Sequence, residues 1–306
     1  MIDFTNFPRD LITTYGGSDR KRGIIYEGKR YMLKFSDRIQ SDQRNSLCES
    51  YSNSVISEYL CCHLIELCGY PVQQTLLGQV WVETVHHPGE YVPVVACKNF
   101  IPSGFNLIEF KYLQLALADE VKPGRTPKLE ELYDILGDEN PYMGKEFCSL
   151  ALRRYWDTFI FDAIFGNFDR HGGNWGYLIN KETMELSLAP IYDCGSCLYP
   201  QLDDTAIERI LTDEKAVLQR VNTFPNAALL KNGKKINYKE FLTSLENQDC
   251  TNALLRVYPL IDLDKINQFI DTMEGISEVR KEFYKLMIEK RYDLILTVAY
   301  RKAVNC

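Results

Sequence analysis

The sequence predicts an α+β fold of two lobes, a small N-lobe rich in antiparallel strands and a larger, mostly helical C-lobe. Strand-like segments occupy most of the first third of the chain, and helical spacing of apolar residues prevails from about residue 106 onward. A chain of 306 residues is also near the upper limit for one hydrophobic core. We place the N-lobe at residues 1–99 and the C-lobe at residues 100–306, with the joint near Ala96 to Phe100.

The composition indicates an ordered protein and disfavours nucleic-acid-binding and membrane-spanning classes. With 45% hydrophobic and 25% charged residues, the chain is expected to be ordered and globular. The 42 acidic residues outnumber the 35 basic ones, and the net charge of -7 disfavours broad binding to nucleic acid. No apolar run approaches the roughly 18 residues of a membrane span, and the N-terminus lacks the pattern of a signal peptide. We therefore expect no membrane span and a cytoplasmic location, with release by a route that needs no such signal left open.

Cysteine is frequent in this chain, with ten residues. Because no secretion signal is present, we expect reduced thiols that pack as small apolar side chains. Cys194 and Cys197 form a C-x-x-C motif, but no second pair at comparable spacing follows. A zinc or redox role is therefore the less favoured interpretation.

The N-lobe begins with a predicted antiparallel meander. Strands are expected at Leu11 to Tyr15, Gly23 to Tyr26 and Arg30 to Phe35, where apolar residues alternate with polar ones. The stretch between the first two strands contains Gly16, Gly17 and Ser18, and its glycines give the backbone unusual freedom.

One helix and two further strands complete the predicted N-lobe. The polar cluster Ser52 to Ser54 offers a helix cap, helical spacing of apolar residues continues to Leu67, and Gly69 and Pro71 end the helix. Strands are predicted at Thr75 to Thr84 and Val92 to Phe100. A turn at His86-His87-Pro88-Gly89 is expected to divide them.

The C-lobe is predicted to be helical with one inserted hairpin. An amphipathic helix through Leu152 to Ala163 should stop at Gly166. The hairpin is expected at Trp175 to Ile179 and Leu186 to Tyr192. The remainder has helical spacing, including Leu263 to Ile270 and a long last helix through Phe283 to Val298.

Three polar residues follow the ends of these elements. Asp169 and Asn174 lie in the segment Asp-Arg-His-Gly-Gly-Asn between the helix and the hairpin, and Asp193 follows the hairpin in Asp-Cys-Gly. Magnesium prefers oxygen ligands and usually takes only one or two carboxylates together with substrate phosphates, so Asn174 and Asp193 are candidate metal ligands. Asp169 is then free to accept a proton as a catalytic base, the role of the D-x-x-x-x-N loop in protein kinases. That spacing alone is weak, because an ordinary loop also matches it.

Lys34 and Glu58 make a nucleotide site the better interpretation. Lys34 is on the strand face opposite the apolar residues and could reach nucleotide phosphates, although a solvated lysine is the common alternative. The helix neighbours of Glu58 are Val55, Cys61 and Cys62, so its carboxylate shares an apolar face. A buried carboxylate needs a partner, and Lys34 is the obvious one, unless Glu58 extends to solvent.

Together these residues resemble those of HipA-like serine/threonine kinases. The resemblance implies a protein-kinase-like fold, magnesium-ATP as phosphoryl donor, and a protein hydroxyl of serine or threonine as acceptor, with tyrosine as an open alternative. Autophosphorylation near the glycine-rich loop is also implied. The nucleotide-binding residues carried over are Gly16, Gly17, Ser18, Lys34, Glu58, Cys97, Asn174 and Asp193, and the local hydroxyls are those of Thr13, Thr14, Tyr15 and Ser18.

The sequence also departs from familiar patterns. His-Arg-Asp is missing before Asn174, Cys194 replaces the Phe of Asp-Phe-Gly, and no Ala-Pro-Glu follows, so activation-segment control is not expected. Toxin-type HipA proteins carry an additional N-terminal subdomain for which there is no room ahead of Leu11, and a toxin role is therefore not expected. Two other functions stay open: a phosphoinositide-type or small-molecule kinase, and a pseudokinase that only binds nucleotide.

Overall fold

The computed structural model describes residues 1–12, 21–36, 53–84, 87–117, 126–137, 140 and 143–305. The predicted loop residues Gly16, Gly17 and Ser18 lie outside these ranges, as do the hydroxyl residues Thr13, Thr14 and Tyr15. Of the predicted first strand, only Leu11 and Ile12 are described, and both are exposed in a bend.

A five-stranded sheet forms the N-lobe. Its strands are β1 (Ile2–Asp3), β2 (Lys21–Tyr26), β3 (Lys29–Phe35), β4 (Thr75–Thr84) and β5 (His87–Lys98). The strand order is β1-β4-β5-β3-β2, and only the β1–β4 pair is parallel. Glu27 and Gly28 connect β2 to β3 with φ values of 47° and 70°, the left-handed conformation of a tight two-residue hairpin turn.

The predicted turn at His86 to Gly89 is wrong, because β5 already begins at His87. Gly89 serves close packing and not chain reversal: a Cβ at this position would lie 2.2 Å from the ring of Trp81 on β4. The far end of β5 is at Lys98, two residues before the predicted end at Phe100.

Helix α1 (Ser54–Leu67) packs against β4 and β5. Its apolar residues are buried as the helical spacing predicts. The N-cap residue of α1 is Asn53, a member of the predicted polar cluster, but its side chain makes no capping hydrogen bond. Instead Asn53 Nδ2 donates to the Leu202 carbonyl at 3.2 Å, and its backbone N–H donates to the Pro200 carbonyl at 3.1 Å. The start of α1 is thereby fastened to the C-lobe.

The C-lobe contains a three-stranded antiparallel sheet where a hairpin was predicted. Strands β7 (Gly176–Asn180) and β8 (Leu186–Leu188) form that hairpin, and β6 (Phe105–Glu109) adds an unpredicted third strand beside β7. Strand β8 is shorter than predicted. Gly176 allows β6 and β7 to approach closely, since a Cβ there would lie 2.1 Å from the Ile108 carbonyl oxygen.

Helices make up the rest of the C-lobe. They are α2 (Phe110–Leu117), α3 (Leu129–Leu136), α4 (Lys145–Phe165), α5 (Asp204–Leu211), α6 (Glu214–Asn222), α7 (Tyr238–Ser244), α8 (Gln248–Val257), α9 (Leu263–Thr272), α10 (Glu278–Arg291) and α11 (Val298–Val304). A 3₁₀ turn at Tyr258–Leu260 follows α8, a π-helical segment at Tyr292–Thr297 joins α10 to α11, and a small hairpin pairs β9 (Leu230–Lys231) with β10 (Lys234–Lys235). No helix within the described ranges is long and apolar enough to cross a membrane.

The two faces of the N-lobe sheet pack into two different hydrophobic clusters. Leu33 and Phe35 point into the outer cluster with Phe4 and Ile24. The opposite face packs on α1, and this cluster continues without interruption into α4 and the C-lobe helices. Lys34 alternates with Leu33 and Phe35 and therefore faces α1 and the C-lobe. The boundary between residues 99 and 100 stays a prediction.

Candidate active site

Lys34 joins carboxylates from both lobes. Its Nζ lies 2.7 Å from Glu58 Oε2 on α1 and 2.8 Å from Asp193 Oδ1 in the loop after β8. The side chains of Lys34 and Glu58 are only 11% and 1% exposed, whereas that of Asp193 is 38% exposed. The predicted contact between Lys34 and Glu58 is thus present, and Glu58 does not extend to solvent.

The charges of this trio depend on one another. Burial alone would raise the pKa of Asp193, but the neighbouring Lys34 ammonium outweighs it and lowers that pKa to about 2. Burial also opposes the charge of Lys34, yet Asp193 and Glu58 hold its pKa well above the ordinary value. Burial raises the pKa of Glu58, and Lys34 partly offsets this effect. Asp193 and Lys34 are therefore ionised at neutral pH.

Glu58 also fixes the Asp-Cys-Gly loop. Its second oxygen, Oε1, accepts the backbone N–H of Cys194 at 3.1 Å. Asp193 itself has a left-handed backbone with φ of 59°. A Cβ at Gly195 would lie 3.2 Å from Glu58 Oε2, so glycine allows this loop to approach α1 closely.

Asp169 lies in a bend after α4, where its backbone N–H and carbonyl are both hydrogen-bonded. Its N–H donates to Asn167 Oδ1 at 2.9 Å, and its carbonyl accepts Asn174 Nδ2 at 2.6 Å and the His171 N–H at 2.8 Å. These bonds leave the carboxylate of Asp169 directed outward and 47% exposed, with His171 Nε2 at 3.9 Å. Burial raises the pKa of Asp169, the Asp193 carboxylate raises it further, and His171 and Lys235 lower it.

Arg170 is a buried residue of the bend that contains Asp169. Its guanidinium donates to Asp162 on α4 at 3.0 and 2.9 Å, with both side chains buried. The same group donates to the carbonyl oxygens of Asn174, Tyr192 and Asp193. Arg170 therefore clamps the two candidate loops together. Asp162 was missed, although an aspartate within the apolar run after Phe159 is a signal for a buried partner.

Lys21 is another residue that sequence reasoning missed. It is the direct cross-strand partner of Lys34 in the β2–β3 pair, so both side chains lie on the same sheet face. The charge of Lys21 contributes to lowering the pKa of Asp193, after the larger effects of burial and Lys34. Like charges placed opposite one another are unfavourable unless an anion lies between them. The two-residue turn at Glu27 and Gly28 fixes this register, so the pair was predictable from the sequence.

The donor set fits magnesium. Asn174 uses its Nδ2 on the Asp169 carbonyl, which leaves Oδ1 as the oxygen available to a cation. Asp193 is ionised, and its charge acts unfavourably on that of Asp169, so a cation would relieve their repulsion. Among the described residues, no three His, Cys, Asp or Glu side chains converge on a metal position. Magnesium usually takes few protein ligands and completes its shell with phosphates and water.

The cysteines that the sequence analysis singled out, Cys97, Cys194 and Cys197, are buried in the hydrophobic cluster that contains α1. Cys97 on β5 is completely buried in the cluster shared with α1, and burial raises its pKa. Cys194 and Cys197 are buried beside Cys61 and Cys62 of α1, and no disulfide joins the cysteines within the described ranges. A nucleotide contact of Cys97 stays a prediction.

The lysine–glutamate pair, the Asp-x-Gly loop and the exposed aspartate of the D-x-x-x-x-N bend, set between two lobes, define a protein kinase. No protein-family model matches the chain. The serine/threonine-protein kinase CtkA of Helicobacter pylori strain J99 is 36% identical over 99% of this chain and 89% of that protein. The chain belongs to the CtkA family of serine/threonine-protein kinases.

Solved structures agree with this assignment. The crystal structure of the Helicobacter pylori proinflammatory kinase CtkA matches with a TM-score of 0.84 and 35% identity, covering 99% of this chain and 98% of that one. HipA of Shewanella oneidensis MR-1, solved in a toxin–antitoxin complex with HipB and operator DNA, matches with a TM-score of 0.56. At 15% identity, over 97% of this chain and 67% of that one, it shares the fold alone. The predicted resemblance and the two-lobed α+β fold are confirmed.

Proposed function

We propose that this kinase transfers the γ-phosphoryl group of magnesium-ATP to serine or threonine hydroxyls of proteins, with Asp169 as catalytic base. The arrangement of Lys34 between Glu58 and Asp193 supports this proposal, because it leaves Asp169, the third carboxylate of the site, exposed and outside the ion pairs of Lys34. Autophosphorylation is part of the proposal, and the cytoplasm is the proposed location. Nucleic acid is not a proposed partner.

Lys34 is the proposed contact to the α- and β-phosphates. Glu58 holds its ammonium at 2.7 Å from a buried position, which fixes the lysine side chain before the substrate arrives. Lys21 shares the same sheet face and adds a second positive charge toward the phosphates. Asn174 and Asp193 are the proposed magnesium ligands, and the bound ion would neutralise phosphate charge during transfer.

Asp169 is proposed to accept the proton of the acceptor hydroxyl as the oxygen–phosphorus bond forms and the bond to the ADP oxygen breaks. A base works best when its pKa approaches the working pH, and burial raises the pKa of Asp169 above the usual aspartate value. Asn174 Nδ2 and the His171 N–H hold the backbone carbonyl of Asp169, which keeps the carboxylate turned outward. The proton stays on Asp169 until solvent removes it.

The test compares the wild-type protein with Asp169→Asn in phosphoryl transfer from labelled ATP. We expect a loss of about 10²- to 10⁴-fold in the rate, the contribution typical of a catalytic base. Nucleotide binding measured by calorimetry should be largely retained, since the phosphate and metal ligands remain. Asp134→Asn, on the exposed face of α3, is the matched control and should behave like wild type. Wild-type turnover by Asp169→Asn would reject Asp169 as the base.

Phosphosite mapping by mass spectrometry tests autophosphorylation in the same reactions. The proposed acceptors near the glycine-rich loop are Thr13, Thr14, Tyr15 and Ser18, which lie outside the described residues. Label that appears in wild-type protein and not in Asp169→Asn would support transfer by the chain to itself. Wild-type protein that remains unlabelled while it phosphorylates other proteins would reject autophosphorylation.

A further inference from the structure

The C-lobe contains a cavity of about 250 Å³ that the proposed mechanism does not use. One wall is the segment after the Asp-Cys-Gly loop, with Tyr199, Gln201 and Leu202. The other wall is the end of α6 and the residues that follow it, including Arg220 and Phe224. An apolar cavity of about 150 Å³ can already hold a benzene ring. The space is therefore sufficient for one large side chain.

Phe224 joins this cavity to the catalytic bend, which comprises residues 167–174. Its ring centroid lies 5.8 Å from that of Phe168, the residue immediately before Asp169, and 6.3 Å from that of Tyr199 in the cavity wall. Phe224 is nevertheless 41% exposed. One aromatic side chain thus contacts the bend that carries the proposed base, lines the cavity and remains open to solvent.

Hydrogen bonds fix both walls of the cavity. The Tyr199 hydroxyl shares its proton between the carbonyl oxygens of Arg220 and Phe224, at 2.8 and 3.0 Å. The Leu202 carbonyl accepts a hydrogen bond from Arg280 Nη2 at 2.9 Å. The cavity is therefore preformed, and a ligand would not have to order its walls on binding.

Gln201 gives the cavity wall an acceptor that is not used. Its Oε1 is buried and has no hydrogen-bond partner among the described residues. A buried acceptor without a partner costs free energy, which a ligand with an N–H group could recover. A polypeptide offers a backbone N–H at every residue except proline. This wall therefore suits a segment of polypeptide better than a purely apolar molecule.

We propose that this cavity holds a large apolar side chain of the acceptor protein, a few residues from the serine or threonine that is phosphorylated. This rests on the proposed function, in which the acceptor hydroxyl must reach Asp169. An extended chain advances about 3.3 Å per residue, so an acceptor bound at Asp169 reaches Phe224, the ring partner of Phe168, within a few residues. Burial of its apolar side chain against Tyr199 and Leu202 would then hold the hydroxyl at the base.

Arg220 makes an acidic side chain the alternative occupant. Its Nη1 lies 3.5 Å from the Ala216 carbonyl of its own helix, and no carboxylate within the described ranges pairs with it. Arg220 is only partly buried, however, and an ion pair that is open to water contributes little. We therefore expect the apolar part of the lining to decide which side chain binds.

The experiment measures kcat/KM for peptides with a single serine in an otherwise polar sequence. Phenylalanine, glutamate or alanine is placed in turn at each of three positions before and after the serine. Wild-type protein is compared with Thr223→Trp, which adds a large side chain at the exposed edge of the cavity. Thr212→Trp is the matched control, because Thr212 is the exposed C-cap of α5, as Thr223 is of α6, and does not line the cavity. Urea unfolding checks that each variant folds.

We expect wild-type protein to prefer phenylalanine over alanine by about tenfold at one of these positions, a discrimination typical of an apolar pocket. Glutamate at that position should be no better than alanine. Thr223→Trp should abolish most of the preference because it fills the cavity, and Thr212→Trp should retain it. The ratio between two peptides is compared within each variant, so a general change in activity does not affect the result.

Binding of the preferred peptide with its serine replaced by alanine gives a measurement that does not depend on phosphoryl transfer. Calorimetry should show equal affinity for wild-type protein and Asp169→Asn, and weaker binding to Thr223→Trp. Equal binding to Thr223→Trp and wild-type protein would overturn the assignment of the cavity.

The remaining outcomes separate this inference from the proposed function. Phosphorylation of peptides without a preference for phenylalanine, a preference for glutamate in its place, or equal losses in the two tryptophan variants would overturn the assignment of the cavity. Autophosphorylation without phosphorylation of any peptide would also overturn it. If wild-type protein transfers phosphate neither to a peptide nor to itself, the proposed function fails, and the inference fails with it.

Discussion

Lys34 donates a hydrogen bond to Asp193 across the cleft, with 2.8 Å between Nζ and Oδ1. This contact joins strand β3 of the N-lobe to the Asp-Cys-Gly loop of the C-lobe. Glu58 accepts hydrogen bonds from both of these segments, one from Lys34 Nζ and one from the Cys194 N–H. A single lysine therefore links one metal-ligand candidate of the C-lobe to helix α1 of the N-lobe.

Replacing Lys34 should destabilise the fold as well as impair nucleotide binding. Lys34→Met leaves the buried Glu58 without its cation, and the loss of one partner from a buried ion pair costs about 3–5 kcal/mol. Urea unfolding measures this loss. Lys29→Met, at the exposed start of the same strand, is the control and should change the free energy of unfolding by less than about 0.5 kcal/mol. Equal effects of both substitutions would show that the pairing contributes nothing specific.

Asp193 should contribute to the stability of the fold at neutral pH, and this contribution should be lost in acid. Its pKa falls from the ordinary 3.8 to about 2 in the folded protein, where Lys34 outweighs the opposing effect of burial. A lowered pKa stabilises the fold above the unfolded value, and this contribution is lost as the pH falls from about 4 through about 2. The difference in unfolding free energy between wild type and Asp193→Asn should therefore be constant above about pH 5 and shrink on acidification.

The size of this difference is moderated by solvent, because the Asp193 side chain is 38% exposed. Asp134→Asn, which removes a carboxylate from the exposed face of α3, is the control. A difference for Asp193→Asn that grew as the pH fell would contradict the interaction with Lys34.

Local patterns were sufficient to predict the parts of the site that belong to single elements. The alternation of Leu33, Lys34 and Phe35 determines which face of β3 carries the lysine, and the apolar helix neighbours of Glu58 require a buried partner for it. The C-terminal end of α4 follows from Gly166, and the β7–β8 hairpin follows from the apolar runs on either side of its turn, whereas the start of α4 at Lys145 lies before the predicted Leu152. The catalytic and metal roles of these residues stay predictions.

Contacts between distant segments could not be predicted in the same way. Strand β6 pairs with β7 across about 70 residues of chain, and a short run after Gly104 carries no local signal for that partner. Gly89 resembles a turn residue until the ring of Trp81 is placed against it. The bond from the Tyr238 hydroxyl to the Asn167 carbonyl, which fastens the start of α7 to the catalytic bend, is likewise defined only by the folded chain.

The ion pair between Arg170 and Asp162 should be the most sensitive polar contact of the C-lobe. Asp162→Asn leaves a buried guanidinium without its carboxylate, and we expect a loss of about 3–5 kcal/mol in the free energy of unfolding. Asp271→Asn, which breaks the exposed pair with Lys285, is the control and should cost less than about 1 kcal/mol. Similar losses in urea unfolding for the two variants would argue against a clamp by Arg170.

The pH dependence of phosphoryl transfer should report the surroundings of Asp169. A catalytic base must be deprotonated, and burial raises the pKa of Asp169, so the rate should fall on the acid side at a pH above the ordinary aspartate value of 3.8. Lys235 lowers this pKa, and its removal in Lys235→Met should therefore shift the acid limb of kcat to higher pH. Lys234→Met, which removes the same charge from the opposite face of β10, should leave the limb close to that of wild type. A shift to lower pH in Lys235→Met would mean that the titrating group is not a carboxylate near this lysine.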